Sequence, residues 1–210
     1  MLIVRSTGPS AKTYPPGKKL ADRQAIALKA GDQLVVLDAR GTRTLRGPGN
    51  VVPGASTMAS RDPAAGARPQ GRSRIAAVRG PEKPSIWDVD VNKASTYCVV
   101  RPESIRLWRE DISSNAPLTI TRVQDNKTIE VDWAAGGSKL DWPSQWPASD
   151  GGEFRLSTPG AKPVAVRFKT LSEEPRGWEN TASTFIDNGC TAQLDLLIGT
   201  IELAGENPAG

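Results

Sequence analysis

Two pairs of carboxylates have a spacing that could serve acid/base or metal chemistry. Asp88 and Asp90 stand two positions apart, as do Glu130 and Asp132. Side chains at i and i+2 of a β-strand share one face, so each pair could transfer protons or hold a metal ion without histidine. The same spacing is ordinary on the solvent face of an antiparallel strand. We therefore expect all four carboxylates on solvent-facing surface, with a carboxylate hydrolase as the alternative.

Other catalytic constellations lack essential parts. The 210 residues contain no histidine, no GxxxxGK[ST] phosphate loop and no Asp/Asn/Gly calcium loop. The serines have no histidine as a general base, and two cysteines cannot form a zinc site unaided. We predict a protein that is not an enzyme and has no cofactor or metal.

The two cysteines, Cys98 and Cys190, lie in the middle and near the end of the chain. A disulfide closing so long a loop would contribute about 4 kcal/mol in the chain-entropy model. Two buried free thiols are the alternative.

Charge is distributed unevenly along the sequence. Residues 1–79 hold 14 Lys/Arg against 4 Asp/Glu, residues 80–172 hold 12 of each, and residues 173–210 hold 1 against 7. The basic part favours an anionic partner, either nucleic acid or another anionic polymer. Alternatively, the acidic end folds back on the basic region or both are solvated faces. The candidate contacts for an anionic partner are Arg40, Arg43, Arg46, Arg61, Arg68, Arg72 and Arg74.

Tryptophans are concentrated in the middle of the chain. Trp87, Trp108 and Trp133 fall in segments of alternating pattern, which predicts that they are core residues. Trp142 and Trp146 flank Pro143 in a loop, and we interpret them as candidates for an exposed contact surface.

The N-terminal region, residues 1–79, is predicted to be a small β domain. Its clearest element is a hairpin that pairs residues 34–37 with residues 42–46 and ends at the Gly47-Pro48-Gly49 sequence. Residues 55–73 have little periodicity and are predicted to form a mobile loop.

A proline-rich linker at residues 80–85 is expected to precede an antiparallel, Ig-like β-sandwich over residues 86–172. Its predicted strands are 86–91, 96–100, 105–109, 118–124, 128–133, 139–142, 153–156 and 164–170. The surest hairpin joins residues 118–124 and 128–133, because apolar and polar residues alternate on both sides of the Asp125-Asn126-Lys127 turn.

The pattern becomes helical over residues 173–205. Trp178, Ala182, Phe185 and Ile186 recur at helical intervals, and a second apolar stripe follows Gly189. Two helices with apolar faces must cover a sheet edge or the first domain, or form a homodimer. Residues 206–210 are expected to be disordered.

Residues 14–49 resemble the FecR-type periplasmic domain. The likeness rests on Tyr14-Pro15-Pro16-Gly17, on Leu28-Lys29-Ala30-Gly31-Asp32 and on the hairpin that ends near Gly47-Pro48. The resemblance implies a small β domain outside the bacterial inner membrane that takes part in signalling or envelope assembly without catalysis.

We thus predict a mainly β fold with a C-terminal helical hairpin and a binding function, with another protein as the partner. A chain that starts directly with the strand-like Leu2-Ile3-Val4 is expected where an export signal has been removed, which favours the periplasm; a cytoplasmic protein is the alternative. No stretch approaches the ~18 apolar residues of a membrane helix, so we expect no membrane insertion.

Overall fold

The computed structural model describes residues 1–21, 23–52 and 81–206. In these ranges the chain forms thirteen strands, a short 3-10 helix at Pro102–Ser104 and two α-helices. The elements are β1 (Leu2–Thr7), β2 (Ile26–Leu28), β3 (Gln33–Asp38), β4 (Gly41–Arg46), β5 (Gly49–Val51), β6 (Val89–Asp90), β7 (Ser95–Val99), β8 (Arg106–Trp108), β9 (Leu118–Arg122), β10 (Thr128–Val131), β11 (Lys139–Asp141), β12 (Glu153–Ser157), β13 (Val164–Thr170), α1 (Trp178–Asp187) and α2 (Thr191–Glu206).

This architecture confirms the predicted mainly β fold with a C-terminal helical hairpin. Neither α-helix of the described ranges combines the length and the apolar character that crossing a lipid bilayer requires. The predicted mobile loop 55–73 lies outside the described residues, as do residues 207–210 of the predicted disordered tail, whereas residue 206 ends α2.

The N-terminal sheet has the strand order β1-β3-β4, and both of its faces are covered. Side chains alternate along β3, so Val35 and Leu37 pack toward the helices while Leu34 and Val36 belong to a second cluster with β2. This double burial explains why β3 is apolar at four consecutive positions instead of alternating. The β3–β4 hairpin is confirmed, with Leu34 opposite Leu45.

The Gly47-Pro48-Gly49 sequence ends β4 as predicted, but the chain resumes as β5, which pairs with β2. This pairing was not predicted. A Cβ atom at Gly47 would collide with the carbonyl oxygen of Lys29. Only glycine allows the backbone to pass so close, which brings β5 back over the sheet.

The sandwich consists of a five-stranded sheet, β10-β9-β12-β13-β7, and a three-stranded sheet, β11-β8-β6. Most neighbours are antiparallel, and the predicted β9–β10 hairpin is confirmed with Ile120 opposite Ile129. Two pairs, β13–β7 and β6–β8, are parallel, unlike the antiparallel sandwich expected. Their connections are long, so no tight turn imposes the antiparallel direction.

The two helices cover both the N-terminal sheet and β7. One cluster contains Leu2 and Leu37 from the sheet together with Phe185 and Ile198 from the helices. The helices meet at Gly189, whose φ of 69° is the left-handed conformation that glycine adopts most easily. The apolar faces that suggested a homodimer are therefore occupied by the chain itself.

The disulfide Cys98–Cys190 joins β7 to the start of α2, with a Cα–Cα distance of 5.8 Å. Next to it, the Gln193 side chain accepts a hydrogen bond from Cys98 N at 2.6 Å and donates one to Cys98 O at 3.0 Å. The amide thus replaces a strand neighbour for β7. The bridge and Gln193 together fix the helical hairpin on the sandwich.

The acidic C-terminal region folds back on the basic N-terminal sheet. Arg5 Nη2 lies 2.5 Å from Asp195 Oδ1 on α2, and the Met1 ammonium group lies 3.3 Å from Glu179 Oε1 on α1. A β-bulge between Ile3 and Arg5 re-aims β1 at this point. This arrangement matches one of the two alternatives given above for the charge gradient.

Candidate functional site

The structure separates the two carboxylate pairs. Asp88 is buried, with 1% of its side chain exposed, while Asp90 is partly buried and Glu130 and Asp132 are exposed. The expectation of a solvent-facing position is wrong for Asp88, because residues 85–88 form a turn instead of the predicted strand. In that turn Asp88 N donates to Ser85 O at 3.0 Å, and Ser85 N donates to Asp88 Oδ2 at 2.8 Å.

Two cations neutralise the buried carboxylate of Asp88. Lys139 Nζ lies 3.5 Å from Oδ2, and Arg106 Nε lies 3.3 Å from Oδ1 in an ion pair that lacks hydrogen-bond geometry. A buried carboxylate requires such partners. Asp88 therefore links β8 and β11 structurally, and among the described residues no group of three His, Cys, Asp or Glu could hold a metal ion.

An open cleft of about 500 Å³ lies beside this ion cluster, where the sandwich meets the loop that precedes α1. Val99 and Ile105, both buried, contribute its apolar part. The charged and aromatic side chains that line the cleft are Trp87, Arg101, Glu103, Arg106, Asp141 and Glu174. We refer to these six residues and the space between them as the Trp87 cleft.

The charged groups of the Trp87 cleft do not neutralise one another. Arg106 and Asp141 are directly opposite in the β8–β11 pairing, where Cβ atoms are about 5 Å apart, yet Arg106 makes its ion pair with Asp88. Within the described ranges, Arg101, Asp141 and the remaining two carboxylates form no ion pair within 4.0 Å. Two cations and three carboxylates thus line one open space, and in the described ranges four of these five groups form no ion pair within 4.0 Å.

Local backbone structure positions Arg101 and Glu103. Pro102 restricts the residue before it to extended conformations, and Arg101 has φ −126° and ψ 92°. Ser104 N then donates to Arg101 O at 2.9 Å and closes the 3-10 turn that carries Glu103. The turn therefore holds an arginine and a glutamate at the mouth of the cleft.

Trp87 forms the aromatic wall of the cleft. Its ring meets Phe185 of α1 edge to face, with centroids 5.5 Å apart and planes at 75°. The indole is therefore half-buried, not the fully buried core residue that the sequence pattern predicts. It offers a fixed aromatic surface between charged side chains of both signs.

The expectation of an exposed contact surface at Trp142 is wrong. Trp142 is 7% exposed, packs edge to face on Phe154 and Phe168, and donates from Nε1 to Trp146 O at 2.6 Å. Trp146 is partly buried against the same core, and the Arg122 guanidinium lies 4.8 Å from its ring centroid. The loop therefore packs against the phenylalanines of the sandwich core.

Trp108 and Trp133 are buried, as predicted. Trp178, which the helical pattern assigned to an apolar face, is 47% exposed at the start of α1. The face that α1 buries is formed by Thr181, Ala182 and Phe185. A helical period therefore identified the element correctly but placed its first residue on the wrong side.

The candidate anion contacts on the hairpin do not form one surface. Arg43 and Arg46 stand three positions apart on β4, so they point to opposite faces, and Arg43 is ion-paired with Asp38. Arg40 lies in the β3–β4 turn and is exposed. The other four candidates, Arg61, Arg68, Arg72 and Arg74, lie outside the described residues.

Shifted pKa values mark structural positions outside the cleft. Burial, followed by the nearby Asp90 charge, raises the pKa of Tyr97, whose hydroxyl donates to Asp90 O and Lys93 O. The side-chain bond to Arg122 lowers the pKa of Asp125 to about 2. Each of these groups fixes a strand end or a turn.

Most residues of the Trp87 cleft were not singled out from the sequence, because they come from four separate segments. One local signal existed: Arg101-Pro102-Glu103 places opposite charges around a proline at the end of a strand, and such loop positions often carry function. The cleft contains three carboxylates, which is the feature that a carboxylate hydrolase would need, but all three are exposed to solvent.

Comparison with known proteins adds no family to this description. No protein-family model matches the chain, and searches of curated proteins and of solved structures found no match either.

Proposed function

We propose that the chain is a non-catalytic binding protein that contacts another protein through the Trp87 cleft. The observation that carries the proposal is the set of charged side chains of both signs around Trp87, whose ring packs on Phe185. Among the described residues, Arg101 and Asp141 form no ion pair within 4.0 Å. Both groups become useful when a partner supplies complementary charges.

The shape and chemistry of the cleft favour a protein over a small molecule. Small-molecule sites are mostly enclosed and apolar, whereas the Trp87 cleft is open, and five charged side chains share its lining with apolar ones. Tryptophan and arginine are the residues most enriched at energetically dominant positions of protein interfaces. Complementary charges around such an anchor set the orientation of the partner.

The cell envelope is the proposed location. Disulfides persist in oxidising compartments, and the Cys98–Cys190 disulfide therefore favours a location outside the cytoplasm. The resemblance of residues 14–49 to the FecR-type periplasmic domain supports the same compartment and a role in signalling or assembly. Catalysis has no support from the sequence, which lacks histidine altogether.

Charge reversal in the cleft tests the proposal. Arg101→Glu should abolish retention of the physiological partner by the immobilised, disulfide-bonded protein. Arg155→Glu is the matched control, because Arg155 is also exposed and the charge change is the same. A protein retained by wild type and control but lost from Arg101→Glu supports the cleft.

A comparison of two tryptophan variants separates binding in the cleft from non-specific binding by exposed aromatic rings. Trp87→Phe keeps an aromatic ring on Phe185, whereas Trp178→Ala removes the exposed indole at the start of α1. We expect Trp87→Phe to retain the partner more weakly than wild type and Trp178→Ala to retain it as well as wild type. Equal binding by wild type, Arg101→Glu and Trp87→Phe would contradict the proposal, as would retention lost only in Trp178→Ala.

A further inference from the structure

A second candidate site lies at one end of the N-terminal sheet, where three loops meet around Asp32. Asp32 is buried, and its Oδ1 accepts a hydrogen bond from Ser10 N at 2.8 Å while its Oδ2 accepts one from Lys29 N at 2.5 Å. Its carbonyl oxygen accepts a third, from Gly47 N at 3.0 Å. One residue thus ties together the loops that contain residues 8–13, 29–32 and 46–48.

Close packing fixes the same three loops. A Cβ atom at Gly8 would stand 2.6 Å from Asp32 Oδ1 and 2.6 Å from Gly31 O, and Gly8 has φ 99°. The Gly47 backbone passes equally close to Lys29. Only glycine fits at either position, so the loops form a preorganised surface.

An exposed cation lies in or directly beside each of the three loops: Lys12 and Lys29 within two of them, and Arg46 as the last residue of β4 before the third. None of them forms an ion pair within 4.0 Å in the part of the chain that the structure describes. Asp32 forms no ion pair with them within 4.0 Å, and its buried carboxylate accepts hydrogen bonds from backbone N–H groups. The charge of Lys29 acts on it only as a minor contribution to its lowered pKa. This basic end therefore presents positive charge on a rigid base.

We propose that the basic end binds a polyanion with closely spaced phosphate groups, which it recognises by charge. Three cations on rigid loops match a repeating anion better than a single one, and each phosphate contact releases counterions. Single-stranded nucleic acids are usually bound through stacked aromatic rings. The three loops contribute no aromatic side chain at residues 8–13, 29–32 or 46–48. This site is separate from the Trp87 cleft and does not depend on it.

The test is a salt titration of binding to two probes, polyphosphate and double-stranded DNA. The variant is Lys12→Gln/Lys29→Gln/Arg46→Gln, and the matched control is Arg155→Gln/Lys162→Gln/Arg176→Gln, which removes three exposed cations elsewhere. We expect wild type and control to bind both probes in low salt. The variant should bind at least about tenfold more weakly, with a salt slope for DNA smaller by roughly three.

Amide shifts in nuclear magnetic resonance spectra provide an independent readout on the unaltered protein. Polyphosphate should move the signals of residues 10–13, 29–32 and 46–47 first, and 1 M salt should reverse the shifts. The proposal is overturned if wild type binds neither probe, if the variant binds as tightly as the control, or if DNA binds and polyphosphate does not. If Lys12→Gln/Lys29→Gln/Arg46→Gln still binds as tightly as the control, other cations, including the arginines of residues 61–74, must recognise the polyanion.

Discussion

The two β regions of this protein differ in what covers them. The sandwich buries its own two sheets against each other in a core that includes Phe154 and Phe168. The sheet β1-β3-β4 depends on other parts of the chain, with α1 and α2 on one face and β2 and β5 on the other. An N-terminal element is thus completed by the C-terminal residues. This difference predicts that the stability of the N-terminal sheet follows the helices, while the sandwich is more independent.

The largest expected effect comes from a matched pair of core truncations. Phe185→Ala and Phe168→Ala each remove a fully buried ring, at a cost of about 3–5 kcal/mol of unfolding free energy. Phe185→Ala should reduce hydrogen-exchange protection of β1 and β3 more than that of β9 and β12, and Phe168→Ala should do the reverse. The same protection pattern in both variants would show that the two regions are not distinct.

The disulfide is the covalent connection between the two regions. Replacing Cys98 and Cys190 by alanine should lower the unfolding free energy by about 2–5 kcal/mol, because the bridge closes a loop of 92 residues in the unfolded chain. Urea unfolding measures this change. Wild-type protein whose disulfide has been reduced should have the same unfolding free energy as the double variant. A decrease in unfolding free energy below about 1 kcal/mol would contradict the connecting role of the disulfide.

Acid should affect a carboxylate of each region differently. Burial opposes ionisation of Asp32, but hydrogen bonds from Ser10 and Lys29 outweigh it and hold its pKa below the ordinary 3.8. A lowered pKa contributes stability that is present above pH 3.8 and is lost as pH falls through the folded value. In the sandwich, Asp125 should titrate near pH 2.

Two measurements check this prediction: titration of the carboxyl groups by nuclear magnetic resonance, and the melting temperature as a function of pH. Asp32→Asn should lower the melting temperature at neutral pH, and its difference from wild type should shrink below about pH 3. Asp125→Asn is the matched variant in the sandwich. A difference that grows as pH falls would have the wrong sign and would contradict the assignment.

Exposed ion pairs should have the smallest effect. Arg5–Asp195 joins the N-terminal sheet to α2, and Lys169–Asp150 is a comparably exposed pair inside the sandwich region. Double-mutant cycles on either pair should give about 0.2–1 kcal/mol and less in high salt. A coupling well above this range at Arg5–Asp195 alone would mean that charge, and not apolar packing, holds the helices on the sheet.

Local patterns predicted the hairpins of this fold but few of its long-range contacts. The β3–β4 and β9–β10 pairs follow from alternation and turn residues within one short segment. The turn at Ser85 to Asp88 could not be predicted, because it depends on Lys139 and Arg106 reaching Asp88 from other strands. Burial of Trp142 likewise depends on two phenylalanines distant in sequence.

The candidate sites show the same limit. The sequence identified the uneven charge and an arginine-rich hairpin, yet β4 points Arg43 and Arg46 to opposite faces. The Trp87 cleft combines side chains from residue 87 to residue 174, which only tertiary structure brings together. Composition therefore led only to the hypothesis of a binding protein, while the candidate contact surfaces required the fold.

Photocrosslinking in cells is the most direct test of the central claim that the Trp87 cleft is a protein contact site. A benzophenone amino acid would replace Ser104, an exposed and uncharged residue that lines the cleft, with Lys162, an exposed residue of the sandwich, as the control position. We predict a discrete crosslinked partner from position 104, its loss when Arg101→Glu is added, and none from position 162. No crosslink at position 104, or the same product from both positions, would contradict the claim.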